Sequence, residues 1–443
     1  MNYKSFIFEN YHYDYSSSTL SLIYRFDEGP EFEEKLIFDF AQRELSSAES
    51  EVIDRLFRLV FLTSGVSYYK AFVPKTLICE AFPLDPATAW FIQNFYEKGL
   101  AEFAFTNNIS LRDHLEVRAA AIPPLAPIEI ELPHRACVPV GGGKDSIVTF
   151  ECLKRAGKTV TLFALGDAAP IRACIAAAQM PFIRVHRRLD PELFRLNEAG
   201  ALNGHVPITG ILSAIAMTAA VMHGADAVVM SNEYSASAPN LLLGNIEVNH
   251  QFSKSFEFEI ELANFVQTYI SPSIKYFSLL RPLSEIEIAR RFARYPQYFG
   301  IFHSCNAAFR QERDARATRW CGNCPKCRFV FLALSPFLAK ADLIGIFGRN
   351  LLDDDNQRDG FARLCGIQAH KPFECVGEVD ESAAVMSYLG SRPEWRTDTV
   401  VRQLHNSFAR LRQQDPGAYR SLFEIKQPHR VPQKYLAMLD ACR

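Results

Sequence analysis

Cys137-Val-Pro-Val-Gly-Gly-Gly-Lys-Asp-Ser146 is the stretch on which the reading of this chain turns. A short apolar run enters three consecutive glycines, then Lys144, Asp145 and Ser146, then a helix-like segment over 147–156. A strand, a glycine turn and a helix start present backbone N–H groups and the positive end of a helix dipole to one point, which suits phosphate. Glycine lets the chain turn through positive φ and lets a ligand approach the main chain.

Working outward, the pattern alternates. Strand-like Cys137–Val140, a helix over 146–156, strand-like Val160–Leu165, a helix over 170–178, strand-like Phe182–His186, a helix over about 207–222 and strand-like Ala227–Met230 follow one another. Such βαβα order predicts an α/β fold: a parallel sheet covered by helices, with ligands at the carboxyl ends of its strands. Three of those ends carry polar residues: Gly141–Ser146, Gly166-Asp167 and Ser231-Asn-Glu-Tyr-Ser235.

Upstream, aromatic and β-branched runs at 6–13, 19–26 and 32–38 predict an antiparallel meander. Helices are expected over 47–63 and 86–98, the second opened by Asp85-Pro86 as cap and first helical residue. Ile122-Pro-Pro-Leu-Ala-Pro127 reads as a linker. Residues 256–300 and the charged tail 381–443 read as helical. The expected division is an N-terminal α+β domain (1–127), a nucleotide-binding domain (128–348) and a mostly helical C-terminal region (349–443).

Composition narrows the function. With 48 basic against 50 acidic residues, no global field favours nucleic acid. No apolar run reaches the ~20 residues of a membrane span, and the first residues lack a signal peptide's pattern. Eleven cysteines in a large chain of this kind predict a reducing cytoplasm, with thiols as core residues, metal ligands or reactive groups. Cys305 with Cys321-Gly-Asn-Cys324-Pro-Lys-Cys327 offers four thiolates. Their spacing suits a closed, structural tetrahedral Zn²⁺, or else an iron–sulfur cluster.

The loop is not the kinase-type P-loop, because Asp145 separates Lys144 from Ser146. It resembles the Ser-Gly-Gly-x-Asp-Ser pyrophosphate loop of the adenine-nucleotide α-hydrolase superfamily, whose members cleave ATP between the α and β phosphates. Gly142, Gly143, Asp145 and Ser146 match; Gly141 stands where that family has serine, which removes one hydroxyl contact. The loop and cysteine knuckle together resemble 7-cyano-7-deazaguanine synthases. A wider set is similar to the UDP-N-acetylmuramoyl-L-alanyl-L-glutamate epimerases of bacterial cell-wall synthesis, over most of residues 1–380. That set is the meander, the loop, Ser231-Asn-Glu-Tyr-Ser-Ala-Ser237, His250-Gln-Phe-Ser-Lys-Ser255, the knuckle and Cys365-Gly through Pro372-Phe-Glu-Cys-Val-Gly-Glu378.

The resemblance implies ATP- and Mg²⁺-dependent inversion of the terminal glutamate of UDP-MurNAc-L-Ala-L-Glu, with AMP and pyrophosphate released. It implies a central sheet of the pyrophosphate-loop (HUP-like) type and a functional link to a ligase that adds L-glutamate to UDP-MurNAc-L-Ala. Gly141–Ser146 are then expected to hold pyrophosphate, Lys144 or Mg²⁺ offsetting its charge, and Asp167 to meet the nucleoside or the metal. Glu233, Tyr234 and Ser235 face the α-phosphate or the substrate carboxylate. Lys254 is either an adenylate-binding cation or a solvated lysine. Cys365, His370, Glu374 and Cys375 are the candidates for proton transfer, set against a reading as core cysteines of a helical region. Arg310, Arg313, Arg316 and Arg319 read as a solvated face, or alternatively as a diphosphate contact. Competing functions are another adenylating enzyme (a 7-cyano-7-deazaguanine synthase-like enzyme or an amide-forming ligase), a tRNA-modifying enzyme, and a non-catalytic nucleotide sensor.

Overall fold

The computed structural model of the chain describes residues 3–40, 43–112, 114–239, 241–243, 246–305, 307, 320–368, 374, 376–408, 415 and 417–442. The strands are β1 (Ser5–Asp14), β2 (Thr19–Phe26), β3 (Glu31–Asp39), β4 (Thr76–Cys79), β5 (Glu116–Val117), β6 (Ala136–Pro139), β7 (Val160–Leu165), β8 (Phe182–Arg188), β9 (Ala227–Met230), β10 (Leu241–Leu243), β11 (Ile246–Val248) and β12 (Lys275–Ser278). All but the small β10–β11 hairpin join one ten-stranded sheet, ordered β12-β9-β6-β7-β8-β3-β2-β1-β4-β5.

β1, β2 and β3 form the expected meander. Alternation is clearest in β3, where Phe32, Glu34, Leu36 and Phe38 are buried and their neighbours are not. The meander also pairs onward: β3 runs antiparallel to β8, with Leu36 opposite Arg187. Glu34, fully buried, receives Arg187 Nε at 2.7 Å across that seam. A buried carboxylate paired in this way favours the register in which its partner faces it, since a slip of one residue would leave both charges stranded.

β12, β9, β6, β7 and β8 are mutually parallel. Taken in chain order, these five strands lie 3-2-1-4-5 across the sheet, so the winding direction reverses between β6 and β9. Ligands of such sheets lie at the carboxyl ends of the strands flanking the reversal.

Helices cover both faces. The long ones ahead of the glycine loop are α1 (Ser47–Ser64) and α3 (Pro86–Gly99), with the short α2 (Val66–Tyr69) between them and α4 (Ala101–Thr106) after them. The Asp85 carboxylate caps α3 by accepting from the N–H groups of Ala87 and Thr88, with Pro86 as first residue, as the sequence predicts. α5 (Lys144–Arg155), α6 (Ala169–Ala178), α7 (Pro191–Glu198) and α8 (Ile208–Met222) interleave with the parallel strands, and α9 (Phe256–Tyr269) and α10 (Glu285–Phe292) flank β12. Side chains alternate across β6: Cys137 joins the core formed with α1, α3, α8 and α9, whereas Ala136 and Val138 join the core formed with α5 and α10. α11 (Pro325–Leu334) and α12 (Lys340–Phe347) follow the cysteine cluster, and α13 (Arg358–Leu364), α14 (Val379–Leu389) and α15 (Thr399–His405) make the C-terminal helical region. It adds Leu364, Val376, Leu389, Trp395 and Val401 to the α5–α10 core.

The sequence pattern passes over two features. β12 lies inside the stretch read as helical, and β4 and β5 extend the meander parallel to β1. Among the described residues no helix is long and apolar enough to cross a membrane.

Candidate functional site

At the reversal between β6 and β9 the sheet opens into a cleft of about 270 Å³. The loop after β6 supplies Gly141, Gly143, Lys144, Asp145 and Ser146; the loop after β9 supplies Ser231, Asn232 and Glu233. Thr209 at the start of α8, Lys254, Glu285, Ser304 and Lys326 complete its polar lining.

The three glycines differ in what they require. Gly142 alone has positive φ (+84°), and a Cβ there would stand 2.8 Å from Pro170 Cβ and 3.0 Å from the Pro170 carbonyl carbon. Its carbonyl accepts the His303 N–H at 2.8 Å, which ties the loop to the segment leading into Cys305. A Cβ on Gly141 would meet nothing within 4 Å, and one on Gly143 would meet only Ser304 Cβ, at 3.5 Å. Ser304 therefore stands beside Gly143 in the same lining.

Lys144 is the first residue of α5 and is 4% exposed. Its ammonium is held between Asp145, at 2.5 Å, and Glu285 at the start of α10. Burial alone would disfavour the ammonium, but the two carboxylates outweigh it, so Lys144 stays protonated far into the alkaline range. Burial also pushes the Glu285 carboxyl up, against the pull of Lys144. The Lys144 charge is therefore already compensated within the protein. Lys254 and Lys326 bring two further ammonium groups to the same wall.

Glu233 is 5% exposed and Lys254 approaches from a 3-10 turn; one buried arginine holds both. Arg281, fully buried and paired with Glu259, donates to the backbone carbonyls of Glu233 and of Lys254. The Ser231 hydroxyl lies in the lining with no hydrogen-bond partner among the described residues; the Ser235 hydroxyl is likewise without one, but Ser235 is fully buried and outside the lining. Tyr234 donates its backbone N–H to the Leu283 carbonyl and is not part of the lining. Asp167 follows β7 but also lies outside the lining; its half-exposed carboxylate faces Arg172 at 3.7 Å.

Behind the loop lies the cysteine knuckle. Cys324 is the N-cap of α11, its sulfur accepting the Cys327 N–H, and Pro325 is the first helical residue. The Sγ atoms stand 3.8 Å apart for Cys305–Cys324, 3.6 Å for Cys321–Cys327 and 3.5 Å for Cys324–Cys327. Four sulfurs at about 2.3 Å from one Zn²⁺ form a tetrahedron with edges of about 3.8 Å, so the group fits a closed structural metal centre of the zinc type. It is coupled to the cleft: Lys326 lies between two of the cysteines, and Ser304 directly precedes the fourth. His303, stacked on Trp320 at 4.8 Å between ring centroids, ties the same segment to Gly142.

Of the candidates for proton transfer, Cys365 and Glu374 lie outside the lining. Cys365 ends α13 inside the hydrophobic core, where burial pushes its thiol up, away from the thiolate that a base requires. Glu374 is half-buried in the turn before Val376. His370 and Cys375 lie outside the described residues, as do Arg310, Arg313, Arg316 and Arg319. Sequence reasoning passed over Thr209, Glu285, Ser304 and Lys326; only Lys326 had a local signal, its place within the knuckle.

The chain matches two family models: the MurL N-terminal domain over residues 1–279 and the MurL C-terminal domain over residues 301–418. It is similar to curated proteins each named UDP-N-acetyl-alpha-D-muramoyl-L-alanyl-L-glutamate epimerase. The one from Xanthomonas oryzae pv. oryzae is 42% identical over 95% of this chain and 93% of its own length. Those from a Micromonospora strain and from Salinispora tropica are 43% and 41% identical, over 89% and 90% of this chain and 88% of each relative.

Proposed function

The chain belongs to the MurL epimerase family, and from that premise we propose that it inverts the terminal L-glutamate of UDP-MurNAc-L-Ala-L-Glu to the D form in peptidoglycan precursor synthesis, using ATP. The observation that carries the ATP requirement is the convergence of the glycine loop and the Ser231–Glu233 turn on one cleft where the sheet reverses its winding. We read the parallel half of the sheet as the pyrophosphate-loop (HUP-like) type, and keep 1–127, 128–348 and 349–443 as the domain division.

The chemistry explains why an epimerase would need such a cleft. The Cα–H beside a free carboxylate is a poor acid, because its removal places a second negative charge next to the first. In the proposed sequence a carboxylate oxygen of the glutamate attacks the α-phosphorus of ATP. The bond from that phosphorus to the bridging oxygen breaks, and pyrophosphate leaves. The resulting acyl group carries no charge, so a base removes the Cα proton and an acid returns one to the opposite face. Water then attacks the acyl carbon, and AMP leaves with both electrons of the bond to its phosphate oxygen.

Gly141–Ser146 would hold the departing pyrophosphate through backbone N–H groups at the start of α5 and the Ser146 hydroxyl. Lys254 and Lys326 would offset its charge, the Lys144 ammonium being committed to Asp145 and Glu285. The carboxylates of Asp145 and Glu233 are oxygen ligands of the kind Mg²⁺ takes, and that ion would supply further compensation of phosphate charge. Ser231 and Ser235, with unpaired buried hydroxyls, fit contacts to the α-phosphate or the substrate carboxylate. For proton transfer Glu374, His370 and Cys375 stay in the proposal, with Cys365 as a neighbour that must lose its proton against its apolar surroundings to take part.

Incubation with ATP, Mg²⁺ and UDP-MurNAc-L-Ala-L-Glu tests the reading, with AMP, pyrophosphate and the configuration of the released glutamate as readouts. One AMP and one pyrophosphate per inversion are expected. AMP release with the configuration unchanged would defeat the epimerase reading; inversion without ATP would defeat the adenylation step alone.

A further inference from the structure

Glu102 in α4, His205 in the segment before α8 and His250 in the segment after β11 are far apart in sequence and meet at one point. One oxygen of Glu102 and one ring nitrogen of each histidine all lie within 4.8 Å of one another. Both imidazoles address the same carboxylate oxygen: His250 Nδ1 is hydrogen-bonded to Glu102 Oε2, and His205 Nδ1 stands 3.8 Å from it. The rings pack with centroids 4.3 Å apart, and all three side chains are half-buried.

Two nitrogen lone pairs and one carboxylate converging on a point are a donor set for a divalent ion. Ligand atoms at about 2.0–2.1 Å from a shared ion stand roughly 3.3–3.5 Å apart, so side-chain shifts of about 1 Å close the group. We propose that Glu102, His205 and His250 form a second metal site, distinct from the four-cysteine knuckle, which binds a divalent transition ion of the zinc class through two nitrogens and one oxygen.

Three protein ligands leave at least one position open, unlike the knuckle, which has none. The surroundings give that position something to meet. Val248, Asn249 and Phe252, on either side of His250, line a cavity of about 580 Å³, together with Ala101 and Ala104 on either side of Glu102. Four residues after His250, Lys254 lines the glycine-loop cleft. The trio belongs to neither lining but neighbours residues of both along the chain, and its open position would be taken by water or by an anionic oxygen of a bound ligand. This site does not rest on the epimerase reading.

The test uses the untagged full-length chain, stripped of labile ions and titrated with Zn²⁺, with bound metal counted by elemental analysis and affinity by calorimetry. The wild type is expected to take two equivalents. His205→Ala and His250→Ala should each take one, and Glu102→Gln should bind the second at least tenfold more weakly. Should a variant fail to fold, a Co²⁺ titration of the wild type decides. There the second equivalent should add d–d absorption without further thiolate-to-cobalt charge transfer. A single equivalent in the wild type, or an undiminished count in the folded variants, overturns the site.

Discussion

Lys144 and Glu285, 141 residues apart, form a buried ion pair beneath the glycine loop, joining the first turn of α5 to the first turn of α10. The pair matters to function because it fixes the start of the helix whose N–H groups face the cleft. Glu285→Met leaves the ammonium buried with only Asp145 facing it. Breaking a buried pair from one side costs about 3–5 kcal/mol, and the lower end is expected here because Asp145 remains. Lys144→Met combined with Glu285→Met removes both charges and should recover most of that loss. Urea denaturation of the two single variants and the double variant measures the coupling. If the double variant is as unstable as the sum of the singles, the pair is not the brace described.

Gly142 and Gly141 should respond oppositely to substitution. Gly142→Ala places a methyl group against Pro170 at positive φ, and the backbone conformation alone costs about 1–2 kcal/mol. Relief of the clash moves the loop away from the His303 N–H, so both thermal stability and ATP binding should fall. Gly141→Ser, which supplies the serine of the pyrophosphate loops this one resembles, meets open space and should leave Tm unchanged, with affinity for the proposed ATP equal or higher. Differential scanning calorimetry and equilibrium ATP binding on both variants check this. Equal damage at the two positions would mean the loop is shaped otherwise.

The contrast between those glycines shows what the sequence made legible. The alternation of short apolar runs with helical segments after residue 134 gave the parallel strands and their polar ends, because each run is set off by a helical segment on either side. β12, no shorter than β6 or β9, escaped because Lys275–Ser278 lies within 256–300, an apolar stretch that reads as helical throughout. The β3–β8 seam escaped for another reason: Glu34 and Arg187 read as ordinary surface charges until they are found facing each other in the interior. The cleft divides in the same way. Gly141–Ser146 and Glu233 lie in contiguous segments that carry their own pattern. Glu285 reads only as an acidic residue in a helix first turn, and Ser304 as a loop serine. Tertiary convergence gives them their place, and no local spacing encodes it.

Arg281 should behave as a positioning residue. It fixes the carbonyls of Glu233 and Lys254 together, so Arg281→Lys, which keeps the charge but cannot span both, should lower kcat with a smaller effect on overall fold. Arg281→Ala additionally strands the buried Glu259 and should cost about 3–5 kcal/mol. The discriminating measurement is kcat on the folded lysine variant. An unchanged value would show that the cleft does not depend on this brace.

The knuckle predicts an effect of metal removal on the cleft. Cys324→Ser removes one of the four sulfurs while leaving a hydroxyl that can still cap α11, so loss of the metal alone should loosen Lys326, Ser304 and the His303–Gly142 contact. Loss of about one zinc equivalent per chain, a lower Tm and weaker ATP binding are expected together. Elemental analysis, calorimetry and nucleotide titration report the three. Metal loss with ATP affinity intact would separate the knuckle from the glycine loop.

Glu381 gives the chain a pH-dependent term with a definite sign. The carboxylate accepts the N–H groups of Glu285 and Glu378 at 2.9 and 2.8 Å, linking α14 to α10. Burial nevertheless dominates, and with Glu378 and Glu233 nearby it pushes the carboxyl up to about 7 from its ordinary 4.5. The folded state therefore holds this proton more tightly than the unfolded chain does. The contribution is fully present below about pH 4.5, diminishes as pH rises towards 7, and is gone above that. The total is on the order of 3 kcal/mol for a shift of this size. Glu381→Gln cannot titrate, so its stability relative to wild type should rise across that interval and level off above it. It starts lower at acid pH, because the amide can accept only one of the two N–H groups through its oxygen without turning its NH₂ towards the other. Denaturant unfolding of both proteins at pH 4.5, 6 and 8 measures the difference. A constant offset across the three would place the Glu381 carboxyl in its ordinary range and remove the burial argument with it.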